Sequence, residues 1–312
     1  MIWLHIGTKK TGTTALQHYF SRHAGTLQKN GLTYISPRQK SSCNTLAIAM
    51  NRGRVAECES IGAYLSQQLD DCPTENAILS SEMLYGIAPE KIFDAVPALR
   101  QQPISVLVYL RRQDQYLESG YLQKLKNGRF RGSIHDYLER FEGSGADYWE
   151  NLSSWRDCEQ ATLVPRVCEP DKLTGGTVVA DACALLGMPA PEAEDQAVNV
   201  SPSVARVQLL QLLADMPGLR LRAIQRTLSR DHPDESSNKA VFLSREERAR
   251  ILEQYADGNE KLRALFFPQM RQIFGTEGLD ADPDTRDDTS FSDAQLAQIK
   301  ALLNALHKIH LK

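Results

Sequence analysis

The 312-residue sequence predicts an α/β protein: a central parallel β-sheet flanked by helices, followed by a helical C-terminal third. Three observations predict it. Short apolar segments alternate with helical patterns through about residue 191, and they are apolar without strict alternation, as strands covered on both faces are. From Ser201 onward such segments disappear. The composition, 42% hydrophobic and 24% charged, is that of a globular chain long enough to bury a large core. The organisation expected is one domain over 1–312, with an α/β core at 1–191 and a helical part at 199–312.

Met1 to Ile6 is short, apolar and β-prone, and predicts the first strand. A glycine and threonine loop follows, and then apolar residues at Leu16, Tyr19, Phe20 and Leu27 that fit one helix face. Gly31 is a plausible stop for that helix, and Leu32–Ile35 reads as the second strand. Helices are expected through Leu46–Met50 and Ile61–Leu69, and Ala77–Ser81 reads as a third strand ending at Glu82. Pro89 opens a helix to Leu99. Ile104–Leu110 is the strongest strand signal in the chain; it ends in Arg111-Arg112, and a helix from about Gln113 to Asn127 follows. Helices are expected over Ile134–Phe141, Tyr148–Trp155 and Gly176–Leu186, and a fifth strand over Ala161–Val167. Beyond that, Ser201-Pro202 caps a helix through Leu213. Leu219–Leu228 suits another, and Arg230–Ala240 is polar and loop-like. The Ser244-x-x-Glu247 capping box begins a long helix to Phe266, Gly275–Ser290 reads as an exposed loop, and Ser292 caps a final helix.

The net charge of −3 argues against bulk nucleic-acid binding and leaves a local anion pocket open. No apolar run approaches the length of an integral membrane segment. No basic segment with an apolar stretch opens the chain, so no secretory signal is expected. The six cysteines form no C-x-x-C pair and read as reduced thiols, so no metal is expected and a cytoplasmic location is.

The chemistry concentrates in the first loop, Gly7-Thr8-Lys9-Lys10-Thr11-Gly12-Thr13-Thr14. A strand, a Gly/Thr loop and a helix make a cradle for an anion: backbone N–H groups point at it and the helix dipole adds about half a positive charge. Thr13 and Thr14 can add hydroxyl donors. The loop nearly fits the Walker A pattern G-x-x-x-x-G-K-[ST] through Gly7 and Gly12, but Thr13 stands where an NTPase needs its lysine. An ordinary glycine turn is the competing reading. At the end of the strong strand, Arg111 and Ser119 are eight positions apart; an arginine at a strand end and a serine on the next helix can converge on one phosphate. Solvated charges are the competing reading there.

Lys10-Thr11-Gly12-Thr13-Thr14 resembles the phosphosulfate loop K-[ST]-G-T-T of PAPS-dependent sulfotransferases, and Arg111 with Ser119 resembles their 3′-phosphate pair. Tyr148-Trp149-x-x-Leu152-x-x-Trp155 resembles a stretch of the bacterial members, as do Val167–Leu173 and Asp181–Met188. The similarity covers Met1 to about Pro191 well and the remainder loosely. It departs at Gln113, where most relatives carry a proline, which leaves Arg112 a rival for the phosphate; the arginine-lysine-glycine signature of cytosolic members is absent.

The resemblance implies a P-loop NTPase-like sulfotransferase fold and transfer of a sulfuryl group from PAPS, with PAP as product, to a hydroxyl or amine of a small-molecule or glycan acceptor. Lys10 would stabilise charge on the departing phosphate, the N–H groups of Thr11, Gly12, Thr13 and Thr14 would hold the 5′-phosphate, and Lys9 is a weaker contact or a solvated lysine. Glu82, at the end of the third strand, is the expected general base; an ordinary helix N-terminal carboxylate is the other reading. His5 is expected to be packed and His18 to face solvent. Arg38, Lys40, Lys124 and Lys126 are acceptor-side or solvated cations, and Ser236–Lys239 a loop able to cover the nucleotide. A P-loop kinase and a non-catalytic nucleotide-binding member of the fold are the alternatives.

Overall fold

The computed structural model describes residues 1–38, 40–141, 145–192, 203–214, 224, 241–279, 292, 295–296 and 299–300. Among them lie five strands: β1 (Ile2–Gly7), β2 (Leu32–Ile35), β3 (Asn76–Ser80), β4 (Ile104–Leu110) and β5 (Ala161–Val167). They form one parallel sheet in the order β2–β3–β1–β4–β5. The helices are α1 (Thr13–Arg22), α2 (Ala24–Lys29), α3 (Asn44–Asn51), α4 (Val55–Asp70), α5 (Pro89–Ala95), α6 (Gln113–Lys126), α7 (Ile134–Glu139), α8 (Tyr148–Asn151), α9 (Ser153–Arg156), α10 (Val178–Leu185) and α11 (Val204–Ala214), with Arg245–Gln254 and Ala256–Phe266 beyond. None is long and apolar enough to cross a membrane.

Residue contacts divide the chain into two units. The first is Met1–Arg112, Ser144–Val198 and Tyr255–Gly275; the second is Gln113–Gly143, Asn199–Gln254 and Thr276–Lys312. The first holds the sheet. Successive strand side chains face opposite ways, so a central strand supplies two cores. Ile104, Val106, Val108 and Leu110 of β4 join Leu4, Leu46, Leu65, Phe93, Leu152 and Trp155 on one face. Leu107 and Tyr109 join Leu16, Phe20, Val178 and Cys183 on the other. This double burial is why β4 lacks alternation in sequence, and each fully buried aliphatic side chain contributes about 1.5–3 kcal/mol.

The second unit packs α6, α7, α11 and Arg245–Gln254 around Tyr121, Leu125, Tyr137, Val207, Leu210 and Leu243. Arg248 is buried and bonds Asp114 at 2.7 Å and Glu118 at 2.8 Å, so its charge is compensated twice. Ser244 and Glu247 make the expected capping box: Ser244 N and Oγ each donate to Glu247 Oε2 at 2.8 Å.

Several helices are shorter than the sequence suggests. The expected single helix after the first loop bends at His23 into α1 and α2, with Leu27 still in the Leu16–Phe20 core. The Pro89–Leu99 helix stops at Ala95, because Pro97 lacks an N–H and forces Val96 to φ −128°; a 3₁₀ turn, Pro97–Gln101, replaces it. Tyr148–Trp155 is two short helices meeting at Leu152, and Ser244–Phe266 is two helices meeting at Tyr255. The helix expected from Gly176 starts at Val178, since Thr177 caps it through the Ala180 N–H and Gly175 lies at φ +70°. The Ser201-Pro202 cap, the Arg230–Ala240 loop with Ser236–Lys239, and all but residue 224 of Leu219–Leu228 lie outside the described residues. The same holds for most of the Gly275–Ser290 loop and of the final helix, although Ser292 and Gln295 do exchange capping bonds.

Candidate functional site

β1 ends at Gly7 and α1 begins at Thr13, so Thr8–Gly12 forms the loop between them. Its two glycines both stand at positive φ, where an L side chain is strained. Gly7 has φ +126°, and a Cβ there would sit 3.3 Å from the backbone of Glu82. Gly12 has φ +79°, and its Cβ would lie 3.4 Å from Val178 on α10. The loop is pinned from beneath: the Thr8 N–H and hydroxyl both donate to the Tyr109 carbonyl at 3.0 Å, and the Thr11 hydroxyl donates to the Thr8 carbonyl at 2.7 Å. Thr8, Thr11 and Thr13 are buried, whereas Lys9, Lys10, Gly12 and Thr14 are exposed. Of the two threonines expected to offer hydroxyls, Thr14 is therefore the outward one. No side chain caps the first turn of α1.

β1 and β4 are neighbours whose onward connections diverge, β1 leading to β2 and β4 to β5, on opposite sides. The crevice beyond the carboxyl ends of such a strand pair is where open parallel sheets take ligands. The glycine–threonine loop and Arg111 follow directly on these two carboxyl ends. Arg111, just past β4, donates from Nη1 to the Lys10 carbonyl at 2.9 Å. Tyr148, first residue of the aromatic motif, donates its hydroxyl to the Arg111 carbonyl, while Leu152 and Trp155 are buried in the core behind. Arg112, the rival, is 2% exposed and donates to the Gly275 carbonyl at 2.8 Å. Ser119 belongs to the second unit, half-buried on α6.

Beneath the loop, Tyr109 donates to Asp181 at 2.9 Å, and Arg166 donates to both oxygens of the same carboxylate. Burial works against the charged form of Asp181, but Arg166, the Thr174 N–H and Tyr109 outweigh it and hold the carboxyl below its usual range. Burial and then the Asp181 charge push the Tyr109 hydroxyl up. The group locks β4, β5 and α10 together beneath the loop.

Glu82 lies two residues past β3, half-buried, in a turn; the next helix begins only at Pro89, so it is not a helix N-terminal carboxylate. Gln17 Nε2 donates to its Oε2 at 2.7 Å and Asn44 Nδ2 to its Oε1 at 3.1 Å. Gln17 also donates to Ser80 Oγ at 3.2 Å, which lies 2.7 Å from His5 Nδ1. His5 is packed, as expected, and burial pushes its imidazole down to about 4. His18 is exposed. The sequence reading missed Gln17 and Asn44. Gln17 had a signal: with Thr13, Leu16 and Phe20 it occupies the buried face of α1, where a polar side chain needs a partner. Of the remaining cations, Arg38 lies over the Tyr64 ring and Lys124 over the Tyr137 ring, and Lys40 is exposed. No cluster of three or more His, Cys, Asp or Glu among the described residues could hold a metal ion.

Fold and site together define a parallel α/β protein with a glycine–threonine loop and a facing arginine at the sheet's switch point. No family model matches the chain. It is similar to an uncharacterized protein of Archaeoglobus fulgidus, 30% identical over 207 residues, which is 64% of this chain and 54% of that protein. The chain thus spans about half the length of the curated relative it matches. A solved structure, a sulfotransferase from Alicyclobacillus acidocaldarius, aligns with a TM-score of 0.44 at 15% identity, over 85% of this chain and 94% of that one.

Proposed function

We propose that this protein is a cytoplasmic PAPS-dependent sulfotransferase acting on a hydroxyl or amine of a small-molecule or glycan acceptor. One observation supports the reading: Arg111 bonds the Lys10 carbonyl, so the leading residues of the two motifs that resemble the donor-binding pair stand side by side. The residues present fit an anionic nucleotide. The first turn of α1 has no side-chain cap, Gly12 is exposed at φ +79°, and Lys9, Lys10 and Thr14 are exposed beside it.

The donor supplies the sulfuryl group: the acceptor oxygen or nitrogen bonds to sulfur as the sulfur–oxygen bond to phosphate breaks, the electron pair staying on the phosphate. The chain supplies position and charge. The N–H groups of Thr11, Gly12, Thr13 and Thr14 hold the 5′-phosphate, and Lys10 neutralises the charge that grows there. Arg111 holds the 3′-phosphate with its guanidinium fork. Ser119 is proposed from its spacing to Arg111 alone. Glu82 takes the acceptor's proton on a carboxylate oxygen.

Thermal shift with PAP, ATP and ATP–Mg²⁺ tests the donor, and transfer of labelled sulfate from PAPS to a pool of glycans, lipids and phenols tests the reaction. Stabilisation by PAP with label transfer is the expected result. Stabilisation by ATP–Mg²⁺ alone overturns the reading in favour of a P-loop kinase, and PAP binding without transfer reduces the protein to a nucleotide-binding member of the fold.

A further inference from the structure

Glu82 carries an amide on each carboxylate oxygen, and the two amides come from opposite sides. Gln17 sits on α1, the helix that opens on the glycine–threonine loop. Asn44 is the first residue of α3, the helix that follows edge strand β2. The direction of the Asn44 amide is set by its other end: the Ser81 hydroxyl donates to Asn44 Oδ1 at 2.6 Å, which leaves only the NH₂ for Glu82. Gln17 is buried and spends its NH₂ on Glu82 and on Ser80, whose oxygen is already paired with His5. A carboxylate gripped on both oxygens by amide donors cannot rotate freely, yet two amides occupy only two of its roughly four lone-pair sites, so it can still accept a proton.

We infer that Gln17 and Asn44 are positioning residues for Glu82, Gln17 setting the carboxylate relative to the donor loop and Asn44 setting it relative to the β2–α3 side. This rests on the reading of Glu82 as the general base. Neither amide moves a proton itself. Their effect is geometric: a base must stand within hydrogen-bond reach of the acceptor's proton.

The test combines Gln17→Met, Asn44→Leu and Glu82→Gln, singly and in pairs, in the full chain. Turnover of labelled PAPS should fall on the order of ten- to a hundredfold in each amide variant, with PAP affinity by calorimetry unchanged. In the Glu82→Gln background the same changes should cost less than about twofold more, because their route to the chemistry has gone. Thermal denaturation of the same set reads the contact without any activity, and the melting shifts of Gln17→Met and Glu82→Gln should be non-additive. Additive losses of turnover, unchanged turnover in the single variants, or additive melting shifts each overturn the inference while the sulfotransferase reading stands. A wild-type protein that does not turn over PAPS overturns that reading first, and the inference with it.

Discussion

Arg111 donates from Nη1 to the carbonyl of Lys10 across 2.9 Å, and Lys10 stands at φ +68°, in the left-handed region that non-glycine residues avoid. The guanidinium thus steadies a strained loop residue from the end of the neighbouring strand. Replacing Arg111 with Ala should weaken PAP binding about tenfold or more by calorimetry, and Lys should not restore it, since a point charge lacks the guanidinium fork. Arg112→Lys should leave PAP affinity intact and lower the melting temperature instead, because Arg112 is buried against Gly275. The reverse pattern would hand the nucleotide contact to Arg112.

Lys10 is exposed at the loop apex. Lys10→Ala should lower turnover of PAPS on the order of a hundredfold or more, the scale of one lost charge-stabilising donor. Lys9→Ala, at a position also exposed, should have the smaller effect. Equal losses at the two positions would remove the special role given to Lys10.

Gly62 on α4 is where that helix meets the backbone of α5: an added Cβ would fall 1.7 Å from the Ala95 carbonyl oxygen. Backbone cannot step aside as a flexible side chain does. Gly62→Ala should therefore destabilise the first unit by about 1–3 kcal/mol or more in urea denaturation. A neutral result would place the two helices further apart.

His5 ties stability to pH. Its imidazole is fully buried and pushed from 6.5 down to about 4, so between those values the unfolded chain binds a proton that the folded chain refuses. Stability from this group is complete above pH 6.5 and declines as pH falls toward 4, by about 1.4 kcal/mol per unit and roughly 3 kcal/mol in all. Urea unfolding of the wild type and of His5→Asn at pH 7 and pH 5 should show a smaller pH difference in the variant. Parallel curves would mean that the imidazole is reached by solvent.

Much of the sheet was legible in the residues. Leu32–Ile35, Ile104–Leu110 and Ala161–Val167 stand where the apolar runs put them; the central strand β4 is buried at every position but Ser105, whereas the edge strands β2 and β5 are buried only in part. Helix ends were less legible. Pro97 was in plain view as a helix breaker, whereas the bend at His23 answers to packing around Leu27. At the site, Lys10 and Arg111 could be named from local motifs, since each is fixed by its own strand end. Gln17 and Asn44 could not, because they meet only on Glu82, which is 65 residues from the first and 38 from the second.

Sequence by itself determined the parallel α/β architecture, the glycine–threonine loop, and the kinds of residue that stand at the strand ends. Only the tertiary structure decided that Arg111 rather than Arg112 faces the loop, that Thr14 rather than Thr13 is exposed, and that Glu82 is gripped by two amides. The physical reason is range. Backbone preference and burial period act over a few neighbouring residues and can be read along the chain, whereas a hydrogen bond between distant strand ends exists only once the sheet order has brought them side by side.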